Sequence, residues 1–521
     1  MKHALVIGSG FAGLAAAASL ARKGFRVTVL EKNDQPGGRA RTWSEQGFTF
    51  DMGPSFYWMP EVFERFFADF GERVQDYYHL VRLDPSYSVV FGPGEKWAIP
   101  ADPIALRAFF EGREKGAGAQ LDRFLAEAKL KYDLGMGELV YRPSLSWGEY
   151  MHPGLIGGLL KTKVFRSLRK HVQGHFTDER LRLLMEFPVL FLGAAPQNTP
   201  ALYSLMNYAD MELGTWYPMG GMGKVVEAFV RVAEKQGATL RCGTPVKRIV
   251  VENGKAVGVE TNEGVIKADI VVAGADYHHV DQELVPEQAR GYSKEYWSKR
   301  TMAPSGLLFY LGFDRRLPDL EHHTLFFDES LDQHCAEIYD QPAWPSNPLF
   351  YTSCASKTDP SVAPEGKENM VILIPIAPGL DDREETRERY YHIVMERLGR
   401  HLGFDPRPHV VLKRSYSIND LQADYNAFRG NAYGMANTIM QTGPLRPGMK
   451  SRKVNGLYYT GQLTVPGPGV PPAIISGQVV ADLIEKEHLP PFAATFRCAS
   501  VVADLIEKEH LPVGGKARVN A

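Results

Sequence analysis

Apolar runs and apolar stripes alternate sharply along the first forty-two residues. Lys2 to Ile7 (KHALVI) is a short run of strand length, and Phe25 to Leu30 (FRVTVL) is a second one. Between them the Ala-rich stretch LAAAASLARKG, ending at Gly24, reads as a helix. This order predicts a βαβ unit with a parallel strand pair. Its first turn is Gly8-Ser9-Gly10-Phe11-Ala12-Gly13, and its second strand ends in Glu31.

Further on, the period changes. Residues from about 60 to about 215 carry aromatic, leucine and charged positions at helical spacing (VFERFFADFGERV, LDRFLAEAKLKYDLGMGELVY), which predicts a mostly helical insertion. KVVEAFVRVAEKQG then predicts another helix. Alternating strands follow up to Asp269–Ala275, with a hairpin turn at Glu252-Asn253-Gly254-Lys255. Continuous apolar runs at PSGLLFYLGF (304–313) and MVILIP (370–375) predict buried strands, and Arg383 to Gly403 predicts a long charged helix. A last strand, Leu457-Tyr458-Tyr459, enters a Gly/Pro-dense turn and then a helix from Ala473 to Ile484. The segment VVADLIEKEHLP occurs at 479–490 and again at 501–512. Two copies of one helix end do not make a repeat fold, and residues 491–521 are expected to be an artefactual or disordered tail.

Composition changes this picture little. A chain of 521 residues with 44% apolar content predicts two or three domains. The net charge of −2 offers no basic field for nucleic acid. Cys242, Cys335, Cys354 and Cys498 are scattered without metal-ligand spacing, so no metal is expected and a reduced, cytoplasmic compartment is the simple reading. The N-terminus also mimics a secretory signal, but cleavage near Ala18 would discard the whole βαβ unit. No stretch is apolar enough to cross a bilayer. Gly154 to Val172 (GLIGGLLKTKVFRSLRKHV) does combine leucines with Lys161, Lys163, Arg166, Arg169 and Lys170. Segments of that kind lie in membrane interfaces or on an ordinary core-facing surface.

The candidate chemistry sits at the glycines. Gly8 permits the tight turn, Gly10 lets a pyrophosphate approach the backbone, and Gly13 lets the helix pack on the sheet. The helix N-terminus favours phosphate, and Glu31 can accept from ribose hydroxyls. Gln35-Pro36-Gly37-Gly38-Arg39 extends the motif to E-x5-G-G-R-x-x-T, in which Arg39 can reach a phosphate. That extension points to FAD rather than to NAD alone. Phe50-Asp51-Met52-Gly53-Pro54-Ser55 reads as a turn beside the same site.

These motifs, with YPMGGMGKV, PSGLLFYLGF, KTDPSVAPEGKENMVILIPIAPG and NGLYYTGQLTVPGPGVPPAIISGQ, resemble the bacterial-type carotenoid desaturases, and among them the lycopene-forming phytoene desaturases. These are FAD enzymes more distantly related to amine oxidases and protoporphyrinogen oxidase. The resemblance covers Met1 to about Leu489. One departure is Val465, where related sequences usually carry His. The resemblance implies an α/β fold: a Rossmann-like FAD-binding domain, glutathione-reductase/amine-oxidase-like, built from 1–60, 216–290 and 450–490. It further implies a largely helical, membrane-associating region at 61–215 and an inserted α+β substrate domain at 291–449.

Carried over by position, the resemblance puts the FAD diphosphate on Gly8, Gly10 and Gly13, the adenosine ribose on Glu31, a phosphate on Arg39 and the adenine edge on Val246. Lys32, Gly38 and Gly220 join the cofactor site. Met219 to Gly221 approach the flavin ring, and Gly461 with the helix starting near Pro472 lies by the ribityl and isoalloxazine. The implied reaction is stepwise desaturation of 15-cis-phytoene to lycopene by hydride transfer to the flavin plus proton loss. Its partners would be a lipophilic polyene, a membrane surface met from the cytoplasmic side, and oxygen or a quinone as electron acceptor. Glu149, Asp210 and His175 are available to take the proton, none with a distinguishing signal. Alternatives are a C30 diapophytoene desaturase, a carotenoid cis-trans isomerase, a flavin amine or porphyrinogen oxidase, or a dinucleotide-sensing protein without an apolar tunnel.

Overall fold

The computed structural model describes residues 1–151, 166–188 and 193–489. Its organising element is a five-stranded parallel sheet, in spatial order Leu457–Tyr459, Ile270–Ala273, His3–Ile7, Arg26–Leu30 and Thr239–Arg241. The strand His3–Ile7 lies at its centre and is buried throughout. Ala4 and Val6 face one side and Leu5 and Ile7 the other, as the two-residue strand period requires. The first side is covered by three helices: Phe11–Arg22, Met222–Lys235 and Val470–His488. The second is covered by a three-stranded antiparallel sheet, Val246–Glu252, Lys255–Thr261 and Gly264–Lys267.

The alanines of the first helix have a packing reason. That helix is buried from Phe11 to Ala21, and the C-terminal helix crosses it closely. A methyl group added at Gly477 would lie 2.4 Å from the Ala12 carbonyl oxygen and 2.8 Å from Ala15 Cβ. Small side chains on both helices permit this crossing, so the last helix among the described residues is clamped to the first.

A second, seven-stranded sheet stands beyond the nucleotide unit. Its order is Val410–Tyr416, Ser305–Phe313, Glu368–Ile376, Phe350–Ser353, His323–Phe326, Tyr87–Gly92 and Glu95–Ile99. All its pairs are antiparallel except that of His323–Phe326 with Tyr87–Gly92. The sheet thus takes the two strands at one end, Tyr87–Gly92 and Glu95–Ile99, from the stretch whose spacing predicts helices. Ser305–Phe313 is buried along its whole length. Leu307, Phe309, Leu311 and Phe313 pack in a core with the helix Glu384–Leu402. Leu308 and Tyr310 face the other way, toward Phe48 and Phe50. That second face walls the site described next. Of the amphipathic segment 154–172, residues 154–165 lie outside the described residues, as do 491–521 with the second copy of the duplicated motif. No helix among the described residues is long and apolar enough to cross a membrane.

Candidate functional site

A cavity of about 570 Å³ runs from the end of the parallel sheet to the seven-stranded sheet. That volume is typical of a site for a large organic ligand. Its two ends differ in chemistry. One end is built of glycines, main chain and charge: Gly8, Gly10, Glu31, Arg39, Val246 and Gly461. The other is apolar and aromatic: Phe56, Trp58, Met206, Leu308, Leu373 and Tyr433.

The glycine-rich turn is shaped by three different constraints. Gly8 has φ +93°, which an L side chain rarely adopts. A Cβ on Gly13 would stand 2.0 Å from the Gly8 carbonyl oxygen, so the helix can seat on the strand only without one. Gly10 is the opposite case: nothing lies within 4 Å of where its Cβ would be, on the side that opens into the cavity. The helix N-terminus there has no side-chain cap, which leaves its first N–H groups for an anion. The second glycine pair docks on this turn, with Gly37 N–H donating to the Ser9 carbonyl at 3.0 Å.

Arg39 follows that pair and is half-buried, with its Nε shielded from solvent. Its Nη2 donates to the Asn431 carbonyl at 3.3 Å, and in the amide orientation that satisfies both groups it also donates to the Gln462 side-chain oxygen at 3.0 Å. Its Nε has no partner among the described residues. Burial pushes the guanidinium below its usual range, while Asp276 partly restores it. Burial likewise raises Asp276, with Arg39 opposing. A half-buried guanidinium with a shielded, unused Nε donor, beside an uncapped helix start and an open glycine face, suits a diphosphate.

Glu31 is tied to the same turn. Ser9 N–H and Oγ–H donate to its Oε2 at 2.9 and 2.7 Å, and Asn33 N–H donates to Oε1 at 3.0 Å. A carboxylate has about four acceptor positions, so the residue braces the loop and keeps capacity toward the cavity. Lys32 lines the cavity as well, but its ammonium donates to the Ala423 carbonyl at 2.6 Å. Beside the first helix, Gly461 N–H donates to Ser476 Oγ at 3.0 Å, joining the Thr460–Gly461 turn to the C-terminal helix.

Of the residues expected from sequence, Gly8, Gly10, Glu31, Lys32, Gly38, Arg39, Val246, Gly461 and Pro472 line this cavity. Gly13 stands behind it. Gly220 lines a smaller neighbouring cavity instead, where its N–H donates to Asp359 Oδ2 at 2.6 Å. Asp51 borders that smaller cavity too, with Met222 N–H on its Oδ2, and burial raises its carboxyl to about 7. The three residues available for proton transfer are engaged elsewhere or stand apart. Glu149 caps a turn through the N–H groups of Ser144, Leu145 and Ser146. Asp210, raised to about 7 by burial, accepts from Tyr87 and Thr215 and does not line the cavity. His175 packs edge-on to Phe124 and beside His171.

Sequence reasoning missed Asp424, Tyr425 and Tyr351, which also line the cavity. Tyr425 lies beneath both Arg39 and Arg41, at 5.4 and 5.2 Å from the guanidinium carbons. No local motif announces these residues.

Fold and site together define a flavin-binding oxidoreductase. Residues 11–484 match the family of flavin containing amine oxidoreductases. The chain is 40% identical over 481 residues to a carotenoid 3,4-desaturase of Haloarcula japonica, covering 92% of this chain and 97% of the relative. It is 33% identical to a zeta-carotene-forming phytoene desaturase of Myxococcus xanthus, covering 92% and 93%. Among solved structures, an oxidoreductase of Methanosarcina mazei superposes with a TM-score of 0.59 at 18% identity, over 92% of this chain and all of the other. The chain belongs to the flavin containing amine oxidoreductases, and within them to the carotenoid desaturase family. Its cofactor is FAD.

Proposed function

We propose that the protein is an FAD-dependent desaturase of a linear carotenoid, with phytoene as substrate and lycopene as product. The observation that carries this reading is the cavity itself: a polar, glycine-lined end continues into an apolar end with few polar groups. A hydrocarbon chain has nothing to hydrogen-bond, so apolar walls are what orient it. FAD, when bound, supplies the hydride acceptor.

The chain's own residues do the rest. The Gly8–Gly13 turn, the helix N-terminus and Arg39 hold the diphosphate, Glu31 accepts from the ribose, and Val246 borders the adenine. Gly461 and the start of the C-terminal helix, near Pro472, border the ribityl and the ring. Leu308 and Leu373, paired across two strands of the seven-stranded sheet, align the substrate and exclude water.

The 40% relative favours a second reading, introduction of a double bond at the 3,4-position of a carotenoid that is already unsaturated. Product analysis separates the two. Incubation with phytoene or with lycopene in liposomes, followed by chromatography, should convert phytoene to lycopene on the first reading. Conversion of lycopene alone, to a product of longer absorption wavelength, supports the second.

We further propose that the enzyme works at a membrane surface, where such a substrate dissolves, and passes its electrons to oxygen or a quinone. Supporting this, Leu145, Trp147 and Met151 lead into the basic segment while exposing 51, 60 and 70% of their surface. Arg169 takes no part in that face: it pairs with Glu186 at 2.9 Å and Asp332 at 2.6 Å.

A further inference from the structure

We propose that the Tyr351 phenol, flanked by Ser55 and backed by His323, takes the proton released when a single bond of the substrate becomes double. The inference rests on the desaturase reading and extends it to a residue. Removing two hydrogens from neighbouring carbons sends one, with its electron pair, to FAD. The other must leave as a proton, and Leu308, Leu373, Phe56 and Met206 at the apolar end have no atom to receive it.

Tyr351 does, and the sheet register delivers it. It pairs with Leu373, which pairs with Leu308, so the three form one row across the wall of the cavity. Tyr351 Oη lies 2.9 Å from Ser55 Oγ, which also faces the cavity, and 2.6 Å from His323 Nδ1. His323 stands on the neighbouring strand, two residues before Leu325, the direct partner of Tyr351. It is therefore a diagonal neighbour on the same sheet face. Its ring is fully buried and stacked on Phe56, with centroids 4.1 Å apart and planes 16° from parallel.

Two features separate this pair from ordinary packing. His323 Nε2 has no partner among the described residues, a cost that packing alone does not explain. Tyr433 also offers a phenol to the cavity, but Tyr351 has a base directly behind its own. Burial and the adjacent His322 hold the His323 imidazole well below its usual range, and burial raises the Tyr351 phenol. Both therefore enter the reaction neutral, which suits a low-dielectric site.

A weak base suffices here. Once the hydride has left, the substrate is an allylic cation whose adjacent C–H is strongly acidic. That carbon's proton passes to Tyr351 Oη, while the phenolic proton moves to His323 Nδ1. The electron pair of the broken C–H bond becomes the second bond of the new C=C. When the product leaves, the proton returns through Tyr351 to Ser55 and the cavity.

The test uses the FAD-loaded full chain, made anaerobic and mixed with phytoene or lycopene in liposomes. The polyene is deuterated at one or the other carbon of the bond oxidised. Tyr351→Phe should keep wild-type FAD occupancy, read from flavin absorbance per protein, yet reduce its flavin roughly 10²-fold more slowly. The isotope effect should grow at the carbon that loses the proton and shrink at the carbon that loses the hydride. His323→Gln still accepts the Tyr351 hydrogen bond but takes no proton, and it should shift the isotope effects the same way. It also keeps the test open if Tyr351→Phe fails to fold. Isotope effects at wild-type values in the variants, at whatever rate, overturn the relay. A wild-type flavin that neither polyene reduces overturns the desaturase reading and the relay with it.

Discussion

At the scale of single residues, Arg39 carries the most weight. It is a half-buried cation whose Nε is unpartnered among the described residues and whose hydrogen bonds go to neutral carbonyl and amide oxygens. A charge-assisted hydrogen bond contributes about 1.5–3 kcal/mol, or roughly 10- to 100-fold in affinity. Arg39→Ala should therefore weaken FAD binding by about that factor, measured by titrating apoprotein with FAD and following flavin fluorescence. Arg39→Lys should fall between, because an ammonium lacks the planar fork. A wild-type affinity for Arg39→Ala would remove the residue from the cofactor site. That Arg39 lines the same cavity as the glycine turn was legible in the sequence because the pattern is local: two glycines, an arginine and a preceding strand place it. Tyr351 and His323 were not, because their meeting depends on which strands neighbour each other and in what register. Nothing within a few residues of either encodes that.

Among elements, the clamp between first and last helix joins the two halves of the site. Gly477 sits 2.4 Å, at the position of a Cβ, from the Ala12 carbonyl, so Gly477→Val must push the helices apart. Overpacking of this kind costs about 1–3 kcal/mol. A lower melting temperature and weaker FAD retention are expected together, read by thermal denaturation with and without added FAD. Unchanged values for both would mean the helices are free to separate without consequence. Several elements followed from pattern: the βαβ unit, the buried strand Ser305–Phe313 and the helix Glu384–Leu402 all appear where apolar period and length put them. The hairpin of Tyr87–Gly92 and Glu95–Ile99 did not. It lies among long helical stripes, and its local signal is the Gly92-Pro93-Gly94 turn. Its strands make sense only as the edge of a sheet whose other members come more than two hundred residues later.

For the whole molecule, the site is assembled from distant parts of the chain: Gly8 and Gly10 from its first residues and Gly461 from just after the strand Leu457–Tyr459 line one cavity. Between those parts the chain builds the apolar wall, and the basic segment follows Trp147 and Met151. Replacing Lys161, Lys163, Arg166 and Lys170 with glutamate should release the enzyme from anionic liposomes without altering its melting temperature, and unchanged co-sedimentation would rule out this segment as the contact. Arg169→Glu should instead destabilise the fold, since it would set a third carboxylate beside Glu186 and Asp332. On the desaturase reading, a hydrocarbon polyene reduces the flavin of this protein directly. Anaerobic holoenzyme mixed with phytoene in liposomes tests it in one spectrum. Loss of the oxidised-flavin absorbance is expected together with new polyene bands in the visible, with no nicotinamide added. An unchanged flavin spectrum and a colourless lipid phase, with lycopene tried in the same way, would contradict it.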